Sequence, residues 1–153
     1  MIMRKKHFAM LLGGIALLAV VAVPLVAHHA FGAEFDRNMP IKLQGKVVKL
    51  EWVNPHTWIH IEIEKEEDGT KEVWAVEGGT PNVLLRRGLR RDCLEPGTEI
   101  IVDGYQAKDH SLKRANGRDV TFTDGSKIFL GSSGTGAPYE EELLKARKER
   151  GRC

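Results

Sequence analysis

Five histidines, His28, His29, His56, His60 and His110, follow the first 27 residues. Imidazole is the side chain best suited to hold a transition metal or move a proton near neutral pH. His28 carries the sharpest chemical reading. A cut after Ala27 would free its amine, and amine plus imidazole form a chelate pair of the nitrogen type that copper favours. His56 follows Pro55 in a turn and could complete the set, with His29 as another further donor. His60 cannot readily share that ion if residues 56–60 form one extended strand, because four residues at about 3.3 Å each separate the side chains by roughly 13 Å. The bland alternative leaves His28 and His29 in a mobile terminus and makes His56 a hydrogen-bonding cap on the strand.

Other groups offer less. Trp52, Trp58 and Trp74 fall in three consecutive strand-like segments, and could build an aromatic platform for a sugar, lipid headgroup or peptide, or simply pack. Packing is the better reading for Trp52 and Trp74. Trp58 and His60 share the polar face of their segment and stand as candidate ligand contacts. Gly78-Gly79-Thr80, with Arg86, Arg87, Arg90 and Arg91 nearby, could present amides to an anion, but a capped turn explains it more simply. Acidic residues cluster at Glu62, Glu64, Glu66, Glu67 and Asp68, in a run leading into a hairpin, where a catalytic pair is a poor reading. There is no nucleophile-elbow serine motif and no phosphate-binding glycine loop, so binding is expected rather than catalysis. Two cysteines exclude a disulfide scaffold or a Cys-rich zinc domain. Cys93 reads as a small buried hydrophobe, or as a partner for Cys153 of this chain or another.

The elements that must position these groups are short strands closed by turns. Residues 41–52 form the first, with Gly45 inside it as the mark of a bulge or bend. After Asn54-Pro55, Thr57, Ile59, Ile61 and Ile63 alternate with Trp58, His60, Glu62 and Glu64, one apolar face against one polar face. Asp68-Gly69 turns the chain into a third strand over 72–77. Thr80 can cap, Pro81 can open and Gly88 can end a short helix over 82–87. Strands follow over 99–107, 118–123 and 127–130, with a hairpin at Asp124-Gly125. The fold class is therefore mainly β: a five- to six-stranded antiparallel OB-like barrel with one short helix between strands three and four. Its core should include Val47, Ile59, Ile61, Ile63, Val76, Leu84, Val102 and Val120.

Residues 1–27 read as an export signal, with Arg4, Lys5 and Lys6 before an apolar run from Phe8 to Val26 broken late by Pro24. An uncleaved anchor is the alternative, because 19 apolar residues nearly span about 30 Å of hydrocarbon. Once those three cations are set aside, 20 basic groups face 21 acidic ones, so nothing in the charge points to nucleic acid. The layout is residues 1–27 signal, 28–40 arm, 41–131 barrel domain and 132–153 flexible linker and charged tail. The expected setting is the periplasm, with an envelope protein or small molecule as partner and the membrane touched only through an uncleaved signal.

The strings Ala27-His28-His29-Ala30-Phe31, Glu34-Phe35-Asp36, Gly45-Lys46-Val47, Glu51-Trp52-Val53-Asn54-Pro55-His56, Glu77-Gly78-Gly79, Leu84-Leu85-Arg86-Arg87-Gly88 and Asp103-Gly104-Tyr105 occur in that order. As a series they resemble a family of short exported proteins of Gram-negative bacteria classed as a domain of unknown function, over about residues 27–133. The resemblance implies export and one small domain, and no catalytic residue comes with it. Two function classes remain open: a non-enzymatic exported binding module, and a periplasmic copper-binding protein using a mature N-terminal histidine. Removal of residues 1–27 is the shared expectation. Intact-mass measurement of the exported protein tests it, and a full-length 17.1 kDa species in the membrane fraction would refute it.

Overall fold

The computed structural model describes residues 31–131 and 137–139. A single helical turn, α1 (Phe31–Glu34), leads into β1 (Phe35–Glu51), followed by β2 (Trp58–Glu64) and β3 (Lys71–Glu77). Helix α2 (Pro81–Arg86) and a 3-10 turn (Arg91–Leu94) precede β4 (Glu99–Ala107), β5 (Arg114–Phe122) and β6 (Lys127–Phe129). All six strands belong to one sheet in the order β3-β2-β1-β4-β5-β6, and every pairing between neighbours in that order is antiparallel. One further pairing is parallel and joins β3 to β5, Ala75 to Arg114 through Glu77 to Asn116. Hydrogen bonding therefore runs β1–β2–β3–β5–β4 and back to β1, with β6 added outside β5.

Alternation decides which side chains enter this circuit. On β2, Ile59 and Ile61 are fully buried while Trp58, His60 and Glu62 lie on the other face. Val47, Trp74, Val76, Val102 and Val120 complete the core from the other strands, and Ile63 is partly buried against it. Leu84 of α2 and Leu89 and Leu94 beyond it are fully buried in the same cluster. Thr80 caps α2, its hydroxyl accepting from the Val83 amide at 3.4 Å, Pro81 opens it, and Gly88 ends the turn at φ +94°.

Several boundaries differ from the sequence reading, each for a long-range reason. Strand β1 begins at Phe35 instead of 41, because Phe35 already pairs with Ala107 of β4. Strand β5 begins at Arg114 instead of 118, because 114–116 pair with β3. The bulge in β1 falls between Val47 and Lys49, placing Val48 on the surface, and not at Gly45. Gly45 answers a different need: a Cβ there would land on the carbonyl oxygen of Glu62. Nor are all of residues 132–153 loose tail, since Ala137 and Tyr139 are 5% and 2% exposed. They join Phe31, Phe35 and Ala107 in a second apolar cluster, with Tyr105 and Phe129 packed against it. Cys93 is disulfide-bonded. Among the described residues no helix is long and apolar enough to cross a membrane.

Replacing fully buried Ile61 by Ala should cost about 2 to 5 kcal/mol in urea unfolding, whereas Glu64→Ala on the exposed face should stay within roughly 0.5 kcal/mol. Equal small losses would show the register displaced by one residue.

Candidate functional site

The outward face of the strand circuit carries two rows of side chains set by register. The first runs Glu51, Trp58, Glu77, Asn116, each paired across to the next on β1, β2, β3 and β5. The second runs Lys49, His60, Ala75, Arg114 on the same four strands. Outward residues are ordinarily wet, and the second row is exposed at Lys49 and partly buried at His60, Ala75 and Arg114. In the first row, however, Glu77 and Asn116 are only 5% and 7% exposed. A buried carboxylate on the outside of a sheet needs a polar partner to offset the water it has lost.

His56 supplies it. The turn between β1 and β2, with Pro55 in the cis form, brings the imidazole over the end of β3, where Nδ1 lies 3.3 Å from Glu77 Oε1 and 3.3 Å from Gly78 O. Both neighbours are acceptors. Nδ1 must therefore carry the proton and donate, which in the neutral ring leaves Nε2 as the basic nitrogen. The Glu77-Gly78-Gly79 string is thereby joined to the Asn54-Pro55-His56 string, and the backbone ties them again: Gly78 N donates to Thr57 O at 2.8 Å, and Thr57 N to Gly79 O at 3.2 Å. Gly79 N donates to Leu130 O at 2.6 Å. With both glycine amides engaged in this way, the loop is a capped turn and not an anion cradle.

Beside this pair, the Arg114 guanidinium lies over the Trp58 ring, 4.8 Å from its centroid, and reaches Glu34 Oε2 at 3.4 Å. His60 sits one row away with Nε2 3.0 Å from Glu51 Oε1, an oxygen that also accepts from Lys49 Nζ at 2.6 Å. Those two donors, Lys49 first and His60 second, hold the Glu51 carboxyl below its ordinary range.

Of the candidate residues, His56, Trp58 and His60 thus share one end of the outer face, with His56 and His60 turned to different carboxylates. His28 and His29 lie outside the described residues. Among the described residues no group of three or more His, Cys, Asp or Glu side chains could hold a metal. The three tryptophans do not form a platform: Trp74 is in the core with its indole N–H on Glu72 Oε1 at 2.8 Å, Trp52 packs against the core, and only Trp58 faces outward. The arginine cluster after α2 is also dispersed. Arg87 donates to Phe129 O at 3.3 Å and to Gly131 O, lies over the Phe129 ring, and burial lowers its affinity for a proton. Sequence reasoning missed Glu77, Asn116, Arg114 and Tyr139. The signal for the first was present in the Glu-Gly-Gly string; the others depend on the β3–β5 pairing.

A family model described as a family of unknown function (DUF6152) matches residues 16–116, well over half of the chain, and the chain belongs to that family. No curated protein and no solved structure matches it.

The two histidine–carboxylate pairs should respond unequally to truncation. Glu77→Ala removes one of the two acceptors facing a buried imidazole and should cost about 1 to 3 kcal/mol in chemical denaturation. His60→Ala, at a half-exposed pair, should cost under about 1 kcal/mol.

Proposed function

We propose that this member of the DUF6152 family is an exported, non-enzymatic binding module, an OB-like barrel plugged by α2, and that its ligand is a copper(II) ion taken up at the His56–Glu77 end. The observation that carries the reading is the buried imidazole whose Nδ1 faces a carboxylate at 3.3 Å. Metal-bound histidines characteristically donate their other ring nitrogen to a carboxylate or carbonyl, which sets the tautomer and raises the basicity of the ligating nitrogen. His56 has both kinds of acceptor at Nδ1.

The remaining ligands would come from the start of the mature chain. Phe31 packs 6.4 Å from the Tyr139 ring, the Tyr139 hydroxyl bonds Asn116, and Asn116 is the register neighbour of Glu77. His28 precedes Phe31 by three residues, a reach of about 10 Å in extended chain. Cleavage after Ala27 would add an amine to its imidazole, and a third nitrogen from His56 or His29 suits copper's tetragonal preference. The barrel reading is supported by the strand circuit closed through the β3–β5 pairing and by the place of α2 between β3 and β4. Export to the periplasm is supported by the basic and apolar start, and a disulfide-bonded Cys93 suits an oxidising compartment.

Copper titration of the protein beginning at His28 should give one tight site. Adding one alanine before His28 should weaken it at least about tenfold, and His56→Ala or Glu77→Gln should weaken it by roughly 10- to 100-fold. Unchanged affinity with the added alanine would overturn the terminal chelate, and unchanged affinity in His56→Ala would remove the built site.

A further inference from the structure

Glu77 and Asn116 face outward on β3 and β5, since their neighbours Val76 and Ala115 are in the core and a Cβ on Gly117 would meet Val76 and Leu130 at 2.8 and 2.9 Å. His56 lies against Glu77 from outside the strand circuit, and Asn116 is met there by Tyr139, whose apolar cluster is drawn from the two ends of the described chain. Phe31 and Phe35 come from the start, Ala137 and Tyr139 from the end, and Tyr105 and Phe129 form the floor. Tyr139 is the centre of it. Its ring stands edge-on to Phe31 at 6.4 Å and to Phe129 at 5.2 Å, and stacks on Tyr105 at 6.2 Å. Its hydroxyl donates to Asn116 Oδ1 at 2.6 Å.

We infer that Tyr139 is a positioning residue for the His56–Glu77 pair: its ring seats the arm that begins at Phe31, and its hydroxyl orients Asn116 beside Glu77. This rests on the reading that the pair marks the ligand end. The two parts of the side chain act on different partners. The ring contributes apolar contact on the segment that leads back to His28, and aromatic pairs of this geometry add about 0.5 to 1.5 kcal/mol beyond area burial. The hydroxyl engages the amide oxygen of Asn116 and so fixes the orientation of that amide, on a residue whose register neighbour is Glu77. Arg87 steadies the route to Tyr139, because it donates to the carbonyls of Phe129 and Gly131, where the chain leaves β6.

The test compares the protein beginning at His28 with its Tyr139→Phe and Tyr139→Ala variants, using two readouts that need no metal. The first is amide hydrogen exchange at Lys108, whose N–H donates to Glu34 O at 2.9 Å and so reports the seating of the arm. The second is the imidazole nitrogen chemical shifts of His56 at constant pH, which report its tautomer and its bond to Glu77. Tyr139→Ala should speed Lys108 exchange by about tenfold or more while core amides such as Ile61 keep their protection. Tyr139→Phe should leave Lys108 exchange as in the wild type and move the His56 shifts. Unchanged Lys108 exchange in Tyr139→Ala would overturn the role of the ring, and unchanged His56 shifts in Tyr139→Phe would overturn that of the hydroxyl. A copper titration run alongside separates the two readings. No uptake by the wild type would overturn the copper reading alone, because both metal-free readouts would still decide the role of Tyr139.

Discussion

The three-residue parallel pairing of Ala75–Glu77 with Arg114–Asn116 is the constraint on which the outer face depends. It is short, and parallel pairing joins segments far apart in sequence, so its ordering entropy must be offset by what lies behind it. That is the meeting of Val76, Ala115 and Leu130 in the core, with Gly117 admitting the close approach. In front of it the same pairing places Asn116 beside Glu77 and Arg114 within reach of Trp58. Without it, β3 and the 114–116 stretch of β5 would be separate edges, and the outward rows would end at Glu77 and Ala75.

Burial of that front surface then involves a polar pair and an aromatic cluster. A carboxylate losing its water is tolerated when donors face it, and His56 Nδ1 does so at 3.3 Å. Beside it the aromatic cluster of Phe31, Phe35, Ala137 and Tyr139 meets Asn116 through the Tyr139 hydroxyl. Polar pair and aromatic cluster are neighbours through Asn116, which accepts from Tyr139 and pairs in register with Glu77. The His60–Glu51 pair has the same chemistry on the wetter part of the face, and Lys49 shares its carboxylate. Its contribution is screened accordingly.

Arginine residues that looked like an anion site at the end of α2 have a scaffolding role at one position. Arg87 is the C-cap of α2 and also holds the two carbonyls at the exit of β6. Helix α2 is thereby tied to the strand end that leads toward Ala137 and Tyr139. The Arg87 guanidinium also lies over the Phe129 ring, which packs against the aromatic cluster.

Local rules made much of the fold legible. The two-residue period of Thr57 to Glu64 marked the inward face of β2, glycines at 69 and 125 marked turns that they enter at positive φ, and Thr80, Pro81 and Gly88 marked the ends of α2. Each of these is written within a few residues, so sequence by itself determined the succession of the six strands and α2, their turns and most of the core. The sequence also placed His56 in a turn and Trp58 and His60 on an outward face. It could not reveal that His56 lies against Glu77, why β5 starts at Arg114, or that Tyr139 reaches Asn116. Those depend on residues distant in sequence meeting in space, Tyr139 on Asn116 and on Phe31. Only tertiary structure decides such contacts, because their stabilisation comes from excluding water between surfaces that no local pattern brings together.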